Sequence, residues 1–401
     1  MEFEISQKIL LTVFLMAMVL GATVQKTNFC TMGAVSDWVL MGDRRRFRSW
    51  LLAMAVAIIG VLIMEATGTV DLNDSRIPYR GAVFFWPRYI TGGLMFGIGM
   101  TLAGGCGNRN LVRVGGGNMK SLLVVLVMAV FAYLMTRTDF YGVLFHSWMF
   151  PMSPDLQTSG VETQEIGVLV AAAVDSEALG TLRMVIGGAV VLALLLVVFK
   201  SKDFNTSLDH LLGGLIVGLV VVGGWYLTAG PWGQEWIEAA EFADEPPAGV
   251  GVQSYTFISP MADTLAYLAN PANTIFITFG VASLSGVITG SLVYSILSRR
   301  FHIEWFASWG DFARQMGGAV LMGVGGVLAL GCTIGQGVTG ISTMALGSVI
   351  ALISIVFGAA LAIKVQYYKL LFEEASFMAA LVTSLVDLRL LPNSLRKLEA
   401  L

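Results

Sequence analysis

Charge is scarce in this sequence. Lysine, arginine, aspartate and glutamate make up 13% of its 401 residues, about half the share of an ordinary soluble domain. No polar stretch is long enough to build a separate soluble core, which rules out a globular enzyme held by a single anchor. Cysteine is nearly absent. Cys30, Cys106 and Cys332 are the only three, and no two form a CxxC pair. Spacing therefore indicates neither a zinc centre nor a thioredoxin-type dithiol. The three histidines, His146, His210 and His302, are scattered near the ends of apolar runs. The 20 methionines form no cluster of the kind that carries copper. No cofactor and no metal is expected.

What the chain has instead is apolar length. Hydrophobic residues are 56% of it. Long runs recur at 9–24, 50–68, 90–103, 121–136, 184–199, 211–227, 274–297, 317–330 and 344–363. Runs of roughly 17–25 such residues cross a bilayer as helices. The expectation is an all-α polytopic membrane protein with about nine transmembrane helices plus short re-entrant helices. The first run has a single basic flank, Lys8, and no small-residue cleavage site follows, so it reads as a retained span rather than a signal peptide.

Basic residues choose the cytoplasmic side. Arg44, Arg45, Arg46 and Arg48 follow the first run, and Arg109, Arg113 and Lys120 follow the third. Lys200 and Lys202 follow the fifth, Arg299 and Arg300 the seventh, and Lys364, Lys369, Arg396 and Lys397 the ninth. Residues 229–272 hold Glu235, Glu238, Glu241, Asp244 and Glu245 and no lysine or arginine. This pattern places the N-terminus outside and the C-terminus in the cytoplasm of a bacterial inner membrane.

The chain also resembles itself. At one offset Gly92, Gly97, Gly99, Ala103, Gly105 and Cys106 fall on Gly318, Gly323, Gly325, Ala329, Gly331 and Cys332. A weaker match lays the stretch from Gly21 on the stretch from Gly218 and sets Cys30 opposite Leu227. One span between the repeats reverses the second, giving the inverted-topology internal repeat of many transporters. The expected division is 1–136 (first half, with the Cys30 and Cys106 segments), 137–207 (outer connection and linking span), 208–363 (second half, with the Cys332 segment) and 364–401 (cytoplasmic or interfacial tail).

Each matched run stops in a glycine-rich polar segment, 104–118 or 331–343, too apolar for a free loop and too short for a span. Residues 26–41 and 254–269 are similar candidates. Irregular backbone at membrane depth must be buried in protein or line a wet cavity. Gly105 and Gly331 leave backbone N–H groups bare, and the N-terminus of a half-helix presents positive charge. Asn108, Asn110 and Gln336 add amides, and Arg109 and Arg113 add positive charge near one mouth. No carboxylate lies in these segments, as a cation path would require. The set suits a small oxyanion. A neutral thiol adds a weak donor and a soft sulfur, fitted to a sulfur-containing anion held loosely enough to be released.

Three stretches, KTNFCTMGA from Lys26, GGCGNRNLVR from Gly104 and GCTIGQGVTGIS from Gly331, resemble the YeeE/YedE sulfur-compound transporter family. SYTFISPMADTL from Ser254 and ARQMGGAVLMG from Ala313 resemble it too. The resemblance implies an hourglass of spanning and re-entrant helices. It also implies thiosulfate as the substrate, contacted in passing by Cys30, Cys106 and Cys332. The expected substrate-binding set is these three with Asn108, Arg109, Gln336, Gly105 and Gly331, without enzymatic turnover. The expected partners are a small sulfur-containing anion, the lipid bilayer and a cytoplasmic sulfur-carrier protein, with no nucleic acid. Two rival readings stand beside it: a membrane thiol relay carrying sulfane sulfur or selenium as a persulfide, and a non-transporting assembly subunit.

Overall fold

The structure is a computed structural model describing residues 4–176, 178–243 and 247–399; Asp244 and Glu245 lie outside these residues. Among the described residues every regular element is helical, with only isolated β-bridges besides. In hydrocarbon every backbone N–H and C=O must be paired within its own segment, and apolar helices achieve this. The chain is therefore an all-α polytopic membrane protein.

The long helices are α1 (Ile5–Thr27), α3 (Arg45–Ala66), α4 (Trp86–Leu102), α6 (Met119–Arg137), α7 (Leu179–Phe199), α8 (Leu208–Ala229), α11 (Phe279–Leu297), α12 (Trp309–Leu328) and α13 (Leu346–Leu371). Between them lie the shorter α2 (Thr31–Met41), α5 (Gly107–Gly115), α9 (Pro231–Glu241) and α10 (Ile258–Ala269), and α14 (Phe377–Asp387) follows. Eight segments among the described residues are long and apolar enough to cross a membrane, two of them counting α2 with α1 and α5 with α4. The run expected at 317–330 is the exception. Its helix α12 has 20 residues, but Asp311, Arg314 and many glycines dilute its apolar character.

Glycine sets how the central helices meet. On α4 and α12, a Cβ added to Gly92 would sit 2.7 Å from the Gly325 carbonyl oxygen, and one on Gly325 equally 2.7 Å from that of Gly92. Gly99 and Gly318 face each other in the same reciprocal way, at 2.7 and 2.6 Å. The two helices thus cross antiparallel with backbones in contact, as small residues permit in a membrane. In the internal alignment Gly92 corresponds to Gly318 and Gly99 to Gly325. Each glycine therefore touches the counterpart of the other, the self-complementary pattern of a two-fold contact.

The remaining packing follows the same exchange. Helix α1 packs on α11 and α8 on α3; α4 packs on α13 and α12 on α6. A Cβ on Gly21 would meet Val287 of α11, and one on Gly218 would meet Ala53 of α3, so α8 stands where α1 stands. Beyond these helices the weaker alignment fails. Helix α2 packs on α3 and α13, and the element that packs on α11 and α6 is α10. Cys30 therefore has its spatial counterpart near Thr256–Ile258, not at Leu227. The insertion of α9 and the loop behind it hides this match from a gapless comparison.

A buried ion cluster fixes the far end of the Cys332 segment. Arg80, 1% exposed, pairs with Glu65 at 2.6 Å and donates from Nε to the Thr343 carbonyl at 2.9 Å. Arg183 bridges Glu65 and Glu165, so two positive and two negative groups balance. At the other acidic position near a span end, Asp311 pairs with Arg314 at 2.9 Å.

Candidate functional site

Two chain segments turn in step. Helix α4 ends at Leu102, and Gly104 takes a left-handed conformation, φ 70°. Helix α12 ends at Leu328, and Leu330, at the matching position, takes φ 58° despite its side chain. Left-handed backbone stops a helix, at a cost for any residue with a Cβ. Cys106 and Cys332 follow two residues later. Cys106 is the N-cap of α5, and a helical stretch from Thr333 to Ser342, π-helical over Gly335–Gly340, starts just after Cys332. Cys30 is the N-cap of α2. Each cysteine therefore sits at the start of a short helix, where backbone N–H groups lack helical partners. The Gly335 N–H approaches the Cys332 sulfur at 3.4 Å.

The four short helices begin close together. The thiols of Cys30 and Cys106 lie side by side. The Thr333 hydroxyl lies beside the Cys106 thiol, and the Thr256 hydroxyl beside that of Cys332. The file thus runs Thr256, Cys332, Thr333, Cys106, Cys30. All three cysteines are free and buried, 6% exposed at most. Buried polar atoms without a hydrogen-bond partner gather here: the hydroxyls of Thr31, Thr256 and Thr333, the amide oxygens of Asn108, Asn110 and Gln336, and Nη1 of Arg109. Buried polar groups are nearly always paired, and half of the fourteen without a partner among the described residues belong to these four short helices or the residues just before them.

Two cavities lie near these short helices. One, of about 300 Å³, is lined by Arg109, Arg113, Lys120 and Glu304 among others, beside the start of α6. Lys120, 2.8 Å away, holds the Glu304 carboxyl below the usual range. With three cationic groups against one carboxylate this mouth is positive. Arg109 reaches across it to Asn28 Oδ1 at 2.8 Å. The second cavity, of about 330 Å³, lies at the other end of α6, against Thr136 and Arg137, and has Thr256 in its wall.

Of the expected site residues, Asn108 and Arg109 stand in the first turn of α5 after Cys106, and Gln336 in the π-helical stretch after Cys332. A Cβ on Gly105 would sit 3.2 Å from the Arg109 side chain, and one on Gly331 3.3 Å from that of Gln336, a tight fit at both. The amides differ from expectation in one respect. The Gln336 NH₂ donates to the Ala329 carbonyl at 2.6 Å, and the Asn110 NH₂ to the carbonyls of Gly105 and Cys106 at 2.9 and 3.2 Å. The Gln336 amide thus covers the carbonyl just past α12 and the Asn110 amide those of the turn before α5, so that it is their oxygens, not their NH₂ groups, that lack a partner. Sequence reasoning missed Thr31, Thr256 and Thr333. Each adjoins the N-cap residue of a short helix, and a lone threonine in an apolar segment gives no signal until that neighbour is known.

A family model described as sulphur transport matches residues 26–361. The chain is 25% identical over 352 residues to the thiosulfate transporter TsuA of Escherichia coli (strain K12), covering 84% of this chain and 89% of that one. It is equally 25% identical over 352 residues to the thiosulfate transporter TsuA of Spirochaeta thermophila, covering 86% and 96%. A shorter stretch of 86 residues is 29% identical to the probable transporter YedE of Escherichia coli, 21% of this chain and 19% of that one.

Proposed function

Since this chain belongs to the sulphur-transport family, we propose that it is an inner-membrane permease that passes thiosulfate intact from one cavity to the other. The observation that supports the reading is the cluster of thiols and hydroxyls at the starts of the short helices, with a cavity near each end of α6. The route enters at the Thr256 cavity, proceeds past Cys332, Thr333 and Cys106 with Cys30 beside it, and leaves past Arg109. A protonated thiol is a weak donor, and the short-helix N–H groups supply fixed positive potential. Serial weak sites release the ion as easily as they take it. No bond of the substrate breaks.

The halves 1–136 and 208–363 act as an inverted repeat whose reciprocal glycine contacts support the reading. The arginine-lined mouth faces the cytoplasm, in keeping with the basic residues on that side. The test is uptake of labelled thiosulfate into proteoliposomes. Cys106→Ala and Cys332→Ala, each monodisperse in detergent, should lower the rate at least about tenfold, the effect expected of one lost hydrogen bond to a charged group. Undiminished uptake in both variants removes the cysteines from the route. A persulfide relay is separated by mass spectrometry during turnover: intact passage leaves no sulfur adduct on Cys106.

A further inference from the structure

A third cavity, of about 460 Å³, takes no part in the route. One wall is the turn from α2 into α3, with Arg44, Arg45 and Arg48. The other is the connection from α7 to α8, with Ser201 and Asp203. Arg48 ties the two walls together, donating from Nε to the Val197 carbonyl of α7 at 3.3 Å.

The depth of this cavity follows from the helices around it. Helix α3 begins at Arg45, α7 ends at Phe199 and α8 begins at Leu208. Ser201 lies two residues past α7, about 3 Å at helical rise. Where apolar spanning helices stop, hydrocarbon gives way to headgroups. The cavity therefore stands at the level of the lipid phosphates.

Its charge is positive. Arg45 forks onto Asp43, with Nη2 2.7 Å from Oδ2. That pair cancels, and Arg44 and Arg48 remain against Asp203. Lys200 and Lys202 flank the same wall in the chain. Beside this charge lies bare apolar surface. Met41 lines the cavity, 70% exposed, and Leu196, Val197 and Phe199 at the end of α7 are exposed as well. Helix α7 is the least buried of the eight spanning segments among the described residues. A positive cavity at headgroup depth, open to an apolar helix face, matches a molecule with one negative charge and two acyl chains.

We propose that this cavity binds the headgroup of an anionic phospholipid, phosphatidylglycerol, with its phosphate on Arg44 and Arg48 and its acyl chains along the end of α7. The bound lipid bridges the linking span α7 to the end of α2 opposite Cys30. It braces a helix that packs chiefly on α3 alone. Asp203 weakens the site by opposing the phosphate. None of this depends on which ion the protein carries.

Native mass spectrometry of the full chain in detergent, with dioleoylphosphatidylglycerol and dioleoylphosphatidylethanolamine at equal concentration, tests it. The wild type should retain one phosphatidylglycerol in preference to phosphatidylethanolamine. Arg44→Gln combined with Arg48→Gln should weaken that binding at least about tenfold. Arg299→Gln combined with Arg300→Gln removes two exposed arginines after α11 and should leave it unchanged. Asp203→Asn, a change outside the spanning helices, should tighten it, and decides the matter if the double variant at Arg44 and Arg48 does not fold. Equal retention of the two lipids overturns the proposal, as does equal loss in both arginine pairs, which would mean attraction to general surface charge. Displacement of the lipid by inorganic phosphate at the same concentration would mean a free-anion site and overturns it too.

Discussion

At the scale of single residues, chemistry is divided between groups that face the file and groups that hold them there. Gln336 belongs to the second kind. Its NH₂ covers the Ala329 carbonyl at the end of α12, which would otherwise be a buried acceptor without a partner beside the passage. Gln336→Leu removes that cover, and an unsatisfied buried carbonyl costs about 1–3 kcal/mol. The variant should unfold at lower temperature in detergent and carry thiosulfate more slowly; unchanged melting and rate would mean that the amide does neither job. The cysteines, the two amides after Cys106 and the glycines beside them were legible from the sequence, because a Gly–Cys pair repeated at one offset is hard to obtain by chance. The threonines were not. Their meaning comes from lying beside a thiol of another segment, and nothing local in the sequence carries that.

At the scale of elements, glycine decides how closely α4 and α12 approach, and that closeness brings the two cysteine segments together. Gly318 has the backbone of α4 within 2.6 Å of where a Cβ would be, whereas Gly317, its neighbour on the same helix, has nothing within 4 Å. Gly318→Leu should therefore push the helices apart and destabilise the protein by about 1–3 kcal/mol or more, while Gly317→Leu should be nearly neutral. Thermal unfolding of the two variants in detergent makes the comparison, and equal effects would mean that the crossing is not what glycine serves here. Helix positions, α12 among them, were readable from apolar length, and the likeness of α12 to α4 added to that reading. The role of α10 as counterpart of α2 was not readable. Its alignment is broken by α9 and the loop after it, and only the exchange of packing partners between α2 and α10 reveals the correspondence.

At the scale of the whole molecule, the proposed route joins two cavities through a thread of weak donors, with arginines at both ends. Arg137 and Arg76 stand at one mouth, Arg109 and Arg113 at the other. Oxyanions of either kind meet that charge alike, so charge alone cannot choose among them. In the proposed mechanism the choice falls to the thiols, whose soft sulfur suits a soft sulfur end better than an oxygen. The positive-inside pattern and the apolar runs made the membrane architecture legible; the order of the groups along the thread required three-dimensional contact. Flux of labelled thiosulfate against labelled sulfate, which differ by one sulfur replaced with oxygen, is decisive when measured in the same proteoliposomes for the wild type and Cys332→Ala. The wild type should carry thiosulfate and largely refuse sulfate, with the preference collapsing in the variant. Equal flux of both anions through the wild type, or a preference that survives the loss of Cys332, would contradict it.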